Sequence, residues 1–115
     1  MINSTIILDF WFKECNPNMW FKKNQEFDNL IKNKFQKTFE YCLKNKINNN
    51  STFRENYLSW IIVLDQFSRN IYRNQIRSFS GDEKALELSK IAINKNFLIS
   101  NEDHYNSFFL MPFMH

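Results

Sequence analysis

Apolar residues recur at three- and four-residue steps through most of the chain, which is the spacing of one face of an α-helix. The clearest run lies in residues 24–46, where Asn24 is the predicted N-cap. Because amphipathic helices usually bury such a face, we expect it to belong to the core and not to a binding groove. Its apolar positions are Phe27, Leu30, Ile31, Phe35, Phe39, Cys42 and Leu43.

Two further helices flank this run. The first is predicted over residues 5–13 with Ser4 as its N-cap, and Pro17 in the segment 16–18 breaks it. After a polar loop over residues 48–51, the segment 52–55 has the sequence of a capping box. The helix that it opens is apolar nearly all round, so we expect it to be the central, most buried helix, ending between Phe67 and Asn70.

The last part of the chain predicts two more helices. A second capping box, residues 80–83, opens one whose inward positions are Ala85, Leu86, Leu88, Ala92 and Ile93. Another begins between residues 100 and 103, is distorted at its end by Pro112, and buries Phe108, Phe109, Met111 and Phe113. The predicted fold is all-α, with about five helices stacked as antiparallel hairpins.

Composition agrees with a single helical domain covering residues 1–115. The chain has one Gly and two Pro, too few for the many tight turns of an all-β fold. The net charge of +3 is spread along the sequence, so we do not expect nucleic-acid binding despite a small local cluster of Arg69, Arg73 and Arg77.

The sequence shows no pattern typical of a metal site, a cofactor site or a membrane-spanning segment. Cys15 and Cys42 have neither metal-ligand spacing nor a paired framework, which suits a reducing compartment. Because the N-terminal residues lack the basic region of a signal peptide and no apolar run is long enough to span a membrane, we expect a cytoplasmic protein. His104 and His115 are too far apart to suggest a metal site, and no cofactor motif is present. We expect His104 to be an exposed loop residue.

The richest chemistry lies in residues 64–73, where an acid, two amides, two guanidinium groups and a phenol follow a wholly apolar stretch. Buried polar groups are costly unless each has a partner, so this segment builds either an internal hydrogen-bond network or a site. In the first interpretation Asp65 pairs with Arg69 one helical turn later, while Gln66 and Asn70 satisfy carbonyls at the helix end. The cluster then clasps helices together.

In the second interpretation the same residues face a cleft whose walls include Trp11, Trp20 or Tyr72. Arg69 would hold an anionic group bidentately, and Asp65 or His115 would move a proton. The predicted ligand-binding residues are then Arg69, Asn70, Gln66, Trp11 and Tyr72, with Asp65 and His115 as candidate catalytic residues. No motif specifies a reaction, so the sequence leaves open whether the protein is an enzyme. The three tryptophans are expected to anchor the core in either case.

The order of these motifs resembles domain-of-unknown-function family 924, whose members are mostly bacterial. The matching elements are Asp9-Phe10-Trp11-Phe12, Trp20-Phe21-Lys22-Lys23, Phe27-Asp28, Leu64-Asp65-Gln66-Phe67, Arg69-Asn70-Ile71-Tyr72-Arg73, Phe79 with Asp82 and Ala85, and Met111-Pro112-Phe113-Met114-His115. The resemblance implies an all-helical, tetratricopeptide-like fold, and it names no activity. It covers roughly the N-terminal two thirds of the family domain, so we expect a chain that is truncated relative to the family.

Two positions depart from the family pattern. Ser68 replaces a usual Pro, which predicts a softer break after the third helix. Asn74 replaces a usual Gly, and Asn tolerates the left-handed conformation that the turn requires.

Two functional hypotheses follow. The first is a scaffold or protein-interaction module, in which residues 64–73 are architectural; the alternative is a small-molecule-binding protein, hydrolase or transferase that recognises an anionic ligand through Arg69 with Asp65, Asn70 and His115. A protein partner or a second copy of the chain would cover the C-terminal apolar residues Phe108, Phe109, Met111, Phe113 and Met114 if the last helix leaves them exposed.

Overall fold

The computed structural model describes residues 2–48 and 53–115, and within them all regular structure is helical. Helix α1 combines an α-helix, Ser4–Asp9, with a π-helical turn, Phe10–Glu14. Helix α2 is Gln25–Lys44; helix α3 joins Arg54–Ile62, the π-helical turn Val63–Phe67 and Ser68–Ile71. Helix α4 is Asp82–Asn94, and helix α5 runs from Asp103–Leu110 into the 3-10 turn Met111–Met114. Shorter 3-10 turns are Pro17–Met19 and Ile76–Phe79.

Helix α3 is the centre of the fold, as the sequence predicted. It packs against α1, α2, α4 and α5, and every residue from Tyr57 to Ser68 is buried. A helix that is apolar on all sides has no face for solvent and must be enclosed by its neighbours. The polar residues at its C-terminal end are therefore carried into the interior, where each needs a partner.

The structure confirms the predicted N-cap Asn24, and the last helix begins at Asp103, within the predicted range of residues 100–103. The Asn24 side chain accepts a hydrogen bond from the Phe27 amide, as expected of an N-cap. Helix α1 is capped by Asn3 instead of Ser4, because the Asn3 carboxamide reaches the Ile6 amide. The N-cap position of α3 is Phe53, one residue later than predicted; Thr52 and the loop residues 49–51 lie outside the described residues.

The second predicted capping box, residues 80–83, is wrong. The Ser80 hydroxyl donates to the carbonyl of Arg77 at 2.7 Å and so closes the preceding 3-10 turn. Gly81 takes the N-cap position of α4 and supplies no side-chain hydrogen bond. The Ser80 hydroxyl is therefore bound within the local turn and does not cap the helix.

Most predicted core positions are buried, with three corrections. Leu30 on α2, Ile93 on α4 and Phe113 at the chain's end are at least two-fifths exposed, since each lies at the margin of its helix's apolar face. Phe108 and Phe109 are fully enclosed. Pro112 marks the change from α-helix to 3-10 helix, which confirms the predicted distortion of the last helix.

Aromatic rings join α1 to the rest of the core. The ring of Trp11 stacks on that of Trp20 at 5.8 Å between centroids, and Phe108 of α5 meets both tryptophans edge-on. The Trp20 indole nitrogen donates to the Trp11 carbonyl at 2.9 Å. Trp11, Trp20 and Trp60 are all buried, which confirms their prediction as core anchors.

The C-terminus of α2 is capped by a lysine from another helix. The Lys84 ammonium on α4 donates to the carbonyls of Cys42 and Leu43, at 2.6 and 3.3 Å, and to the carbonyl of Asn45. The last carbonyls of a helix lack intrahelical donors and carry partial negative charge, so a cation satisfies both needs. This contact fixes α4 against the end of α2.

Among the helices of residues 2–48 and 53–115, none combines the length and apolar character needed to cross a membrane.

Candidate functional site

The π-helical turn of α3 places Asp65 in the interior, with its side chain completely shielded from solvent. Its Oδ2 accepts a hydrogen bond from the Gln66 side-chain amide at 2.7 Å. Its Oδ1 lies 2.9 Å from Nε2 of His115, at the end of α5. The two candidate catalytic residues of the sequence are therefore neighbours, and the buried carboxylate faces a partly exposed imidazole.

Arg69 is bound mainly by Asp82, which the sequence had not predicted. Its Nη1 and Nη2 donate to the two carboxylate oxygens of Asp82 at 2.9 and 3.1 Å, a bidentate ion pair between α3 and α4. The predicted pairing with Asp65 is looser: Arg69 Nη1 donates to the Asp65 main-chain carbonyl at 2.6 Å and lies 3.8 Å from its carboxylate. Arg69 pairs more closely with Asp82 than with Asp65 because both carboxylate oxygens of Asp82 face the guanidinium group.

A second ion pair ties α3 to α2. Asp28, a buried residue in the first turn of α2, accepts from Nε and Nη2 of Arg73 at 2.5 and 3.0 Å. The Asn70 amide donates to the same carboxylate at 3.0 Å. The hydrogen bonds that Arg73 donates to Asp28 raise the pKa of Arg73 above its ordinary value. The Asp28 carboxylate is thus held by Asn70 of α3 and by Arg73, which lies two residues beyond the end of that helix.

The prediction that Gln66 and Asn70 satisfy carbonyls at the helix end is wrong. Gln66 donates to the Asp65 carboxylate and Asn70 to Asp28, because α3 continues as far as Ile71 and its carbonyls at these positions remain within the helix. Buried carboxylates, which cost more to leave unpaired than carbonyls do, take the amides instead.

Two clefts meet at Arg69 and Arg73. The smaller, about 140 Å³, is lined by these arginines with Trp20, Phe21, Gln66 and Asn70. The larger, about 380 Å³, is lined by the same arginines with Asn74, Gln75, Ile76, Ser78 and Phe79. The predicted ligand-binding residues Arg69, Asn70 and Gln66 are thus brought to one cleft. Of the predicted aromatic walls, Trp20 lines this cleft, whereas Trp11 and Tyr72 do not and are buried.

The residues that sequence reasoning missed are Asp28 and Asp82, the partners of the two arginines. A signal existed for Asp28, which precedes Ile31 and Phe35 by three and seven residues and therefore shares their buried helix face. An acid in that register requires a partner. For Asp82 no comparable signal exists, because its pairing with Arg69 depends on how α4 meets α3.

The remaining candidates stand apart from this cluster. His104 lies in the first turn of α5 and not in a loop, and its ring meets that of Trp20 edge-on at 5.0 Å. In the described ranges, no three His, Cys, Asp or Glu side chains are grouped so that they could hold a metal ion. A cleft of about 570 Å³ beside Arg54 shares no lining residue with the two described above. There Arg54 binds Glu102 at 2.7 Å and joins α3 to the segment before α5.

The fold and the cluster define an all-helical protein in which two Arg–Asp pairs join three helices. Residues 7–115 match a family described as bacterial protein of unknown function (DUF924), and the chain belongs to this family. The predicted resemblance is thereby confirmed.

A solved structure shares the fold. It is a protein of unknown function from Agrobacterium tumefaciens, with a TM-score of 0.71 and 26% identity, and the match covers 97% of this chain. It covers 63% of the Agrobacterium protein, so this chain spans less than two thirds of that protein's length. No curated protein matches the chain.

The two departures from the family pattern are accommodated locally. Asn74 has a positive φ of 67°, the left-handed conformation expected where the family has Gly. Ser68 follows the π-helical turn and continues the helix as far as Ile71, so the break predicted to soften is a continuous helix. Its hydroxyl donates to the Asp65 carbonyl at 3.3 Å.

Proposed function

We propose that the protein is a helical scaffold or protein-interaction module of tetratricopeptide-like architecture, in which the cluster around Asp65, Arg69 and Asn70 is architectural. The observation that carries this proposal is the bidentate ion pair between Arg69 and Asp82. Because Nη1 and Nη2 of Arg69 both donate to a carboxylate of the same chain, the terminal nitrogens of this guanidinium have little capacity left for a ligand. A cytoplasmic location is part of the proposal, supported by the free, buried Cys15 and Cys42.

The connectivity of the cluster supports an architectural role. Asp28 lies on α2 and Asp82 on α4, whereas Arg69 lies on α3 and Arg73 lies two residues beyond its end at Ile71. The two pairs therefore hold three helices in one arrangement. Each pair is only partly exposed, and breaking such a pair leaves an uncompensated charge. In this proposal the charged and polar side chains of the cluster therefore serve to hold the fold together.

Exposed apolar side chains beside this cluster support a binding role. Phe21, Ile76 and Phe79 line the two clefts, and each exposes more than half of its surface. Large apolar residues that remain exposed together, next to arginines, are typical of protein-binding surfaces. A stable scaffold with such a surface is what an interaction module requires.

Replacing Arg69 tests the architectural role. We expect Arg69→Met to lower the free energy of unfolding by about 3–5 kcal/mol, because Asp82 and the buried Asp65 both lose their cation. Arg77→Met is the matched control, since the Arg77 guanidinium stacks on Tyr72 and forms no ion pair within residues 2–48 and 53–115. Thermal and urea unfolding followed by circular dichroism measure both. Equal stability of the two variants would refute the proposal.

A second candidate is a small-molecule-binding protein, hydrolase or transferase that recognises an anionic ligand through Arg69, with Asn70, Asp65 and His115. The contact between Asp65 Oδ1 and His115 Nε2 favours it, because a buried carboxylate can orient an imidazole for proton transfer. This candidate predicts that inorganic phosphate raises the melting temperature, and that Arg69→Met abolishes the rise while leaving the unliganded melt unchanged. A large loss of stability in Arg69→Met would argue against it.

The C-terminal apolar face supports a further proposal about assembly. Phe113 and Met114 expose 45% and 74% of their surface, while Phe108 and Phe109 are covered within the chain. We propose that a protein partner or a second copy covers this exposed end. Sedimentation velocity at micromolar concentration tests the second copy: a dimer that Met114→Gln dissociates supports it, and a monomer refutes self-association.

A further inference from the structure

We propose that Arg73 is the carboxylate receptor for an acidic peptide segment that lies across the two clefts and rests its apolar side chains on Phe21, Ile76 and Phe79. This inference rests on the proposed interaction function and names the class of partner. It differs from an anion site at Arg69, because both terminal nitrogens of Arg69 donate to Asp82, whereas Arg73 binds Asp28 through Nε and only one terminal nitrogen.

Arg73 is held in place along one edge and open along the other. Asp28 accepts from its Nε and Nη2, whereas Nη1 makes no hydrogen bond to any residue in the ranges that the structure describes. The Arg73 side chain is 27% exposed, and Asp28 is itself fixed by Asn70. A guanidinium oriented in advance by a buried carboxylate loses little freedom when it binds a second anion.

The position of Arg73 gives it access to both clefts, because it lines each of them. The other polar residues of the walls are amides and one hydroxyl, namely Gln66, Asn70, Asn74, Gln75 and Ser78. No acidic side chain lines either cleft within the described part of the chain. Beyond Asp28 and Asp82, which already bind the two arginines, no acid competes for the donors of these walls, and this suits a carboxylate-bearing partner.

The apolar walls indicate a partner with apolar anchors. Ile76 is 90% exposed, Phe79 59% and Phe21 65%, on the two sides of the arginine pair. Aromatic side chains and arginine are enriched at protein interfaces, where apolar anchors supply most of the binding energy. A short peptide can present both a carboxylate and apolar side chains at this spacing.

The charges favour a peptide over a nucleic acid. Arg69 and Arg73 are each paired with an aspartate, so they do not form the row of unpaired cations that follows a phosphate backbone. One open guanidinium edge flanked by apolar side chains instead suits a single carboxylate.

Fluorescence anisotropy tests the proposal on the whole chain. The probe is a fluorescein-labelled peptide in which glutamates flank two leucines, and the matched peptides carry lysine for each glutamate or alanine for each leucine. We expect the acidic, leucine-containing peptide to bind at least about tenfold more tightly than either matched peptide. Equal binding of the three peptides, or no binding of the first, would overturn the proposal.

Two variants locate the contact. Ile76→Ser should weaken peptide binding about tenfold without affecting folding, since Ile76 is almost wholly exposed, whereas Ile6→Ser on α1 is the matched control and should bind normally. Arg73→Lys keeps the positive charge but removes the open Nη1, and should weaken binding to a similar degree. If Arg73→Lys unfolds the protein, the binding measured for Ile76→Ser alone decides whether the peptide contacts the proposed surface. Unchanged binding in Ile76→Ser would refute the proposed surface.

A labelled oligothymidylate is the comparison for nucleic acid, and tighter binding of this probe than of the acidic peptide would also overturn the proposal. The failure of this inference is distinguishable from that of the proposed function. If Arg69→Met destabilises the protein but the acidic peptide does not bind, only the peptide proposal fails. If Arg69→Met leaves the melt unchanged, the architectural function fails, whatever the peptide does.

Discussion

Gly81 packs against the main chain of Leu64 so closely that a Cβ at this position would clash with the Leu64 carbonyl oxygen. The contact brings the start of α4 against the π-helical turn of α3. Asp82 follows immediately, and its carboxylate reaches Arg69. The single glycine of the chain therefore permits the approach that forms the ion pair between α3 and α4.

A side chain at residue 81 should separate these two helices. We expect Gly81→Ala to lower the free energy of unfolding by about 1–3 kcal/mol, because the added methyl group meets backbone that cannot rotate away. Lys90→Ala, at an exposed position of α4, is the control and should change stability by less than about 0.5 kcal/mol. Urea unfolding measures both, and equal midpoints would show that α4 can shift without loss.

The helices themselves could be predicted from the sequence because their apolar periodicity reports burial directly. Residues 24–46 predicted α2 to within two residues at its end, and the mostly apolar segment after residue 55 predicted the central helix. Exact starts were less predictable. At Ser80 two local hydrogen bonds compete for one hydroxyl, and the sequence does not show that the bond to Arg77 wins.

The polar cluster could be predicted as a cluster, but its pairings could not. Asp65 and Arg69 are one helical turn apart, which made their pairing the simplest expectation. The structure brings Asp82 closer, because Gly81 allows α4 to approach α3. Partners on other helices are set by tertiary packing, so a sequence motif identifies which groups need partners and not which partners they find.

The Asp28 carboxylate should be the most sensitive acid on α2. It accepts three hydrogen bonds from Asn70 and Arg73. Asp28→Asn removes the negative charge and replaces one acceptor oxygen with an NH2 group that faces at least one of these donors in either orientation. We expect a loss of about 2–4 kcal/mol in the free energy of unfolding. Asp9→Asn, which breaks an exposed pair with Lys13, is the matched control and should cost less than about 1 kcal/mol. Similar losses in the two variants would contradict the assigned network.

Lys84 should stabilise the protein through the end of α2. Lys84→Met keeps most of the aliphatic stem but removes the donors to the Cys42, Leu43 and Asn45 carbonyls, so we expect a loss of about 1–3 kcal/mol. Lys90→Met on the exposed face of the same helix is the control. Amide hydrogen exchange adds a local test, since the last turn of α2 should exchange faster in Lys84→Met. Unchanged exchange there would show that the cap is dispensable.

The stability of the protein should fall in alkaline solution because of its buried thiols. Burial raises the pKa of Cys42 from 9.0 to about 12. Between these values the unfolded chain has lost the thiol proton and the folded chain retains it, so raising the pH favours unfolding. Below pH 9 both states are protonated and the contribution of this thiol is fully present.

Cys42→Ala should therefore lose less stability than the wild type as the pH rises from 9 towards 12. Its stability at neutral pH is expected to be lower, because a buried side chain is truncated, so the comparison is between slopes and not between absolute values. Burial raises the pKa of Cys15 only to about 11, which makes Cys15→Ala a graded control with a smaller effect. Urea unfolding at a series of pH values gives the slopes. Parallel curves for the wild type and Cys42→Ala would show that the buried thiol does not govern the alkaline loss.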